Sequence, residues 1–226
     1  MGFVNGFDLG LNIISEVCMK LSKLFYECLK VDYRDVDGVD YAWGREGEIL
    51  YLYFEDSDGG VDWLKNLDFP IRPYKRMGKT VWRAHRGFLR AWEKVVKVVK
   101  PLIEDKSVKR IIIVGYSHGG AIAVLCHEYV WYNRPDIREE IFGYGFGAPR
   151  VLWGRIKCKE RWKNFTVIKN INDLVTRVPP WILGYRHVGA LLKIGKKGKY
   201  SSIEAHFSQN ILKELRIYEA TPRVGQ

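Results

Sequence analysis

No apolar run in the 226 residues approaches the ~18 consecutive residues a membrane-crossing helix needs, which excludes an architecture of spanning helices. The four cysteines, Cys18, Cys28, Cys126 and Cys158, show neither C-x-x-C nor metal-ligand spacing. Free buried thiols are therefore the default expectation, with no metal, and the sequence neither requires nor forbids a disulfide. The N-terminal stretch lacks a basic segment followed by an uninterrupted apolar one, because Asp8, Glu16 and Lys20 break it. No secretory signal is expected there, so the chain reads as cytoplasmic or released by a non-classical route, with peripheral membrane contact allowed. Met1-Gly2 opens like a myristoylation site, but Gly6 stands where Ser or Thr is required. There is no internal repeat and no long linker, so residues 1–226 read as a single domain.

Hydrophobic residues make up 47% of the chain and aromatic ones 14%, enough for a full core. Charge is unevenly placed. Residues 1–149 balance 21 Lys and Arg against 21 Asp and Glu, whereas residues 150–226 hold 16 against 5 and so carry the whole net +11. One end of the fold is expected to be basic, which suits an anionic membrane surface, nucleic acid or an acidic partner, or else is a solvated surface that only aids solubility. No nucleic-acid-binding motif accompanies the charge, so nucleic acid is not expected as a partner.

The most informative stretch runs from Lys109 to Val124. Ile111 to Val114 is a short continuous apolar run bounded by glycine, as in a central parallel strand covered on both faces. Gly115-Tyr116-Ser117-His118-Gly119 fits G-x-S-x-G, and Ala121 to Leu125 continues as an apolar helix. A strand, a sharp turn and a helix are the context in which that motif exposes a nucleophilic serine. A serine hydroxyl needs a base to take its proton and donors to hold the oxyanion. The His118 N–H, at the start of the helix, is the first candidate donor.

Residues 8–30 carry apolar side chains at helical spacing. Val39–Gly44 and Glu48–Phe54 read as a hairpin, residues 68–79 as a loop with two prolines, and Thr80–Ala84 as a strand. Leu89–Asp105 reads as a helix bent or ended by Pro101, and His118 to about Asn133 as the helix after the elbow. Ile141–Phe146, Phe165–Asn170 and Val188–Ile194 are strand candidates, and Ser202–Leu215 is a last helix. Strands alternating with helices predict an α/β fold, with a mostly parallel central sheet flanked by helices. Asp173 falls just past a strand's C-terminal end, where sites collect in such sheets. His127, on the elbow helix, is badly placed to face Ser117. His187 and His206 both follow Asp173.

At this point the sequence resembles the class 3 lipases, the fungal triacylglycerol-lipase type of α/β-hydrolase. GYSHGGA is similar to that family's G-H-S-L-G-G-A elbow, AHRGF to its H-x-G-F, and FGAPR to its F-G-x-P-R. NDLVTRVPP and GYRHVG are similar to its N-D-x-V-x-x-x-P-P and aromatic-x-H-x-G segments. These stand in the family's order over about residues 48–210. The resemblance implies Ser117 as nucleophile, Asp173 as orienting acid and His206 as base, with His187 structural and His85 bracing the site. Where the family has Asp before the base, this chain has Ala205. The second oxyanion donor falls on Ser57, in a run where Glu55 and Asp56 replace the family's Arg and Gly. Residues 59–67 fall on the lid, with Trp63 and Leu64 as its apolar face.

The function so implied is serine-dependent hydrolysis of lipid esters through an acyl-enzyme, by a lipase, carboxylesterase or phospholipase A, with no cofactor. The substrate is a lipid ester, and the basic residues of 150–226 suit an anionic interface. The alternative, motivated by the changed oxyanion run and Ala205, is a catalytically silent lipid- or protein-binding scaffold.

Overall fold

In the computed structural model, residues 20–55, 70–76, 79–156, 159–198 and 201–221 are described. Among the described residues the first elements are helix α1 (Leu21–Cys28), β1 (Arg34–Asp35), β2 (Asp40–Glu46) and β3 (Ile49–Glu55). Next come β4 (Ile71–Arg76), β5 (Lys79–His85), α2 (Arg86–Glu104), β6 (Arg110–Tyr116) and α3 (His118–Asn133). The rest is β7 (Ile141–Phe146), β8 (Leu152–Trp153), β9 (Phe165–Asn170), β10 (Tyr185–Arg186), β11 (Ala190–Ile194) and α4 (Ser208–Ala220).

The main sheet has the order β1-β2-β3-β6-β7-β9-β11. From β3 to β11 every neighbouring pair is parallel, and β1 and β2 add an antiparallel edge. Both faces are covered, and the sequence period shows which residue serves which face. Leu50, Leu52 and Phe54 of β3 enter the core beneath α2 and α3, while Tyr51 and Tyr53 enter the core beneath α1 and α4. In β6, Ile111 and Ile113 point one way, and Ile112, Val114 and Tyr116 the other. The helix α3 is buried nearly all round from Gly119 to Glu128, which explains its unbroken apolar sequence. The outer helices are tied together as well, for Glu219 of α4 accepts bonds from the Ser22 N–H and hydroxyl of α1.

Two readings need correction. Residues 71–76 are not loop: they form β4, at the edge of a second, antiparallel sheet of order β10-β8-β5-β4. An edge strand tolerates Pro73 because a proline's missing N–H need not serve a ladder on the open side. The last helix starts at Ser208, not Ser202. Ser202 instead bridges to Asp173, Glu204–His206 form a separate 3₁₀ turn, and Phe207 is extended at φ −55°, ψ 138°. The helix expected over Leu89–Asp105 is α2, which ends at Glu104 with Pro101 in its last turn. Of the expected helix at 8–30, Leu21–Cys28 is seen and residues 8–19 lie outside the described residues. Cys28 and Cys126 are buried free thiols, and burial pushes the Cys28 thiol up to about 12.

Candidate active site

The C-terminal end of β6 delivers Ser117 at φ 54°, ψ −121°, a conformation that side-chain-bearing residues avoid, at a cost of roughly 1–3 kcal/mol. Two glycines make the turn possible. A Cβ on Gly115 would sit 2.1 Å from the Gly119 carbonyl oxygen, and one on Gly119 would sit 2.1 Å from the Phe54 carbonyl oxygen at the end of β3. The turn is pinned by the Ser117 N–H, which donates to the Phe146 carbonyl at 2.9 Å.

Asp173 and His206 reach Ser117 from far along the chain. His206 Nε2 lies 2.8 Å from Ser117 Oγ, and its Nδ1 lies 2.9 Å from Asp173 Oδ2. A carboxylate can only accept, so Nδ1–H donates to Asp173 and leaves Nε2 to accept from the serine hydroxyl. All three side chains are buried. Asp173 Oδ1 accepts from the Val175 N–H at 2.8 Å, which fixes the orientation of the carboxylate. The Thr176 hydroxyl donates to the Asp173 carbonyl, and His187 Nε2 lies 2.9 Å from the Thr176 carbonyl. Burial pushes His187 down to about 4, so it is neutral and donates that bond. It is a brace for the acid's loop.

The strand that leads to Ser117 also holds His206. The Tyr116 hydroxyl donates to the His206 carbonyl at 2.9 Å, and the two rings stack 5.3 Å apart. Gly147, at φ 60°, leaves space for the imidazole, since a Cβ there would lie 2.7 Å from His206 Cε1. Neither residue was singled out from the sequence. Tyr116 stands inside the elbow motif, but nothing in the spacing says that it faces His206.

His118 opens α3, so its N–H belongs to the first helical turn, where the peptide dipoles sum to partial positive charge. Burial pushes its imidazole down to about 4. His85 caps α2 by accepting from the Phe88 N–H, and its ring packs on Phe88, whose ring lies 5.4 Å from that of His118. That chain of rings links the start of α2 to the start of α3. His127 points elsewhere: its Nε2 bonds the Arg161 carbonyl and its ring stacks on Trp162. Ser57, Trp63 and Leu64 lie outside the described residues. Glu55 ends β3 on the face of Tyr51 and Tyr53, and its charge is felt by Tyr116, Tyr33 and Cys28. Strand alternation thus turns it to the sheet face opposite α3.

A parallel sheet, a strained serine between strand and helix, and an Asp–His–Ser relay define an α/β-hydrolase. The Lipase (class 3) family profile matches residues 51–183, and the chain belongs to that family. A lipase of Rhizomucor miehei is 25% identical over 161 residues, covering 66% of this chain and 42% of that protein. The "Secreted mono- and diacylglycerol lipase 1" of Fusarium solani is 29% identical over 136 residues, covering 56% of this chain and 38% of that protein. The chain therefore spans about two fifths of the length of these curated relatives. Among solved structures, a triacylglycerol lipase whose catalytic centre is described as a serine protease triad matches with a TM-score of 0.64 at 19% identity, covering 78% of each chain. The Rhizomucor miehei triacylglyceride lipase matches at 0.60 and 20% identity, covering 74% of this chain and 66% of that one.

Proposed function

We propose that this protein is a serine-dependent ester hydrolase acting on lipids. The observation that carries the reading is the unbroken line of hydrogen bonds from Ser117 Oγ through His206 to Asp173, set at the tip of the elbow. His206 takes the serine proton as Ser117 attacks the ester carbonyl. Asp173 holds the imidazole in its productive tautomer and stabilises the cation that forms. The oxyanion lies by the His118 N–H at the helix start, with Ser57 as the second donor. Collapse of the tetrahedral adduct expels the alcohol, which takes the proton back from His206. Water, activated by His206, then releases the acid and restores Ser117.

Acylglycerols are the substrate class, by analogy with the relatives' activities. The excess of basic residues over 150–226 supports action at an anionic interface. The test is hydrolysis of short- and long-chain p-nitrophenyl esters by the parent chain, Ser117→Ala and His206→Ala. Cleavage of long esters, lost in both variants, is expected. A folded parent inert on all esters, and unlabelled by a fluorophosphonate, overturns the reading in favour of a silent scaffold.

A further inference from the structure

The loop that begins at Asp173 ends in a tip whose side chains stand exposed among the described residues. Trp181, Ile182 and Leu183 form a single 3₁₀ turn and are 65%, 77% and 53% exposed. Three consecutive large apolar side chains held in water is an unfavourable arrangement for a free surface and marks a contact site. The backbone beneath them is tightly fixed. Trp153 Nε1 donates to the Leu183 carbonyl at 2.8 Å, Arg186 Nη1 donates to the Trp181 carbonyl at 2.6 Å, and the Leu183 N–H donates to the Pro180 carbonyl. Arg150 Nη1 donates to the carbonyls of Arg177 and Pro179 at the foot of the turn. The backbone of the tip is thus held in place while its side chains face outward.

The stretch of sequence that contains the turn is strongly basic. From residue 161 to residue 203 the chain has nine Lys and Arg but a single carboxylate, Asp173, which is buried against His206. Arg177 and Arg186 flank the turn in sequence, and Arg150 sits between their loops. Among the described residues none of the three has a carboxylate within ion-pair distance. Their mutual repulsion shows in the lowered basicity of Arg150, caused by burial and then by Arg186 and Arg177. Lys169, pushed down to about 8 by burial and by Arg177 and Arg150, belongs to the same unbalanced cluster.

Resting on the lipid-hydrolase reading, we propose that the Trp181–Leu183 turn is a membrane anchor: it inserts into the interface of an anionic bilayer while Arg177, Arg186 and Arg150 engage lipid phosphates. A tryptophan and two aliphatic side chains suit the boundary between headgroups and acyl chains, and guanidinium groups at the foot of the turn lie at phosphate level. Asp173 begins the same loop, and Leu174, Ile203 and Phe207 beside the triad are also partly exposed. Docking therefore couples the triad's own loop to the lipid surface.

The experiment uses the full chain carrying Ser117→Ala, which cannot consume the lipid, in co-sedimentation with vesicles of phosphatidylcholine alone or with phosphatidylserine added. Binding is expected to rise with phosphatidylserine and fall with salt. Adding Trp181→Ser, Ile182→Ser and Leu183→Ser together is expected to weaken it at least about tenfold, and Ile182→Ser alone about threefold; the single exposed change guards against misfolding. Arg177→Gln with Arg186→Gln should remove about fivefold per cation on anionic vesicles and leave weak binding to neutral ones unchanged. With Ser117 intact, the turn variants should still hydrolyse a soluble short ester at the parent rate. Equal vesicle binding by parent and turn variants overturns the anchor, as does equal binding to neutral and anionic vesicles. A lipid-free dimer that the triple change dissociates overturns it in favour of a second copy of this chain. Anionic vesicle binding at the turn by a protein inert on every ester sinks the hydrolase reading and leaves the anchor standing.

Discussion

Tyr116 grips His206 twice: its hydroxyl donates to the His206 carbonyl at 2.9 Å, and its ring stacks on the imidazole with the planes 19° apart. The residue before Ser117 thus positions His206, so the elbow strand sets two of the three residues in the hydrogen-bonded line. Tyr116→Phe keeps the stack and removes the hydrogen bond, a change of about 1 kcal/mol. We expect kcat on a soluble ester to fall about fivefold with KM unchanged. Tyr116→Ala removes both contacts and should lower kcat much further. Steady-state kinetics of the two variants distinguish a positioning effect from simple destabilisation, since the phenylalanine variant should melt close to the parent.

Gly147→Ala places a methyl group 2.7 Å from His206 Cε1, at a backbone φ of 60° that alanine resists. The imidazole has to shift, and a displacement on the order of 1 Å costs about 10²-fold in rate. The expected outcome is a large loss of kcat in a protein that still folds. Circular dichroism and ester hydrolysis on one sample check it.

Asp173→Asn keeps an oxygen for the Val175 N–H and so keeps the loop. It replaces an acceptor for His206 Nδ1–H with an amide that can equally donate. The imidazole then favours the wrong tautomer, and kcat should drop by about 10³–10⁴-fold. A drop under tenfold would remove Asp173 from the relay.

Stability should fall in acid. Burial pushes His118, His127 and His187 down to about 4, against an ordinary value of 6.5. Between those values the unfolded chain binds protons that the folded chain does not. Stability is therefore full above about pH 6.5 and declines as pH falls toward 4. Urea midpoints should be level from pH 8 to about 7 and then drop steadily, and a midpoint that rises on acidification would contradict the burial of these rings.

Arg134 is fully buried, and its guanidinium donates to the carbonyls of Ile103, Asp105 and Val108 and to the Asp136 carboxylate. It ties the C-terminus of α3 to that of α2. Arg134→Ala leaves those carbonyls without their donor and empties a large buried volume. A loss of about 3–5 kcal/mol is expected in urea unfolding. Asp136→Asn, at a half-exposed partner, should cost far less.

Much of this was readable in the residues. The run from Ile111 to Val114 and the glycines around Ser117 predict the strand, elbow and helix, because periodicity and turn sterics are local properties. Asp173 was legible as a residue just past a strand end. His206 was not legible from spacing, since His187 also follows Asp173; the order of family motifs was needed to prefer it. The strand at 71–76 was missed because Pro73 and the surrounding charges read as loop, and only the neighbouring β5 makes an edge strand of them. The start of α4 was misplaced because Ser202 answers to Asp173 and not to its own helix.

Local sequence, then, determined the elbow, the alternation of strands and helices and the basic character of the last third. Those follow from side-chain period, glycine sterics and charge count, all of which act over a few residues. The tertiary structure alone decided that residues 117, 173 and 206 meet within hydrogen-bond distance, that Tyr116 and Gly147 shape the seat of His206, and that Trp181–Leu183 stand exposed on a turn whose carbonyls Arg150 and Arg186 hold. Parallel crossovers carry these residues together from opposite parts of the chain, and the energy that holds them there lies in packing across the sheet, which no local pattern contains.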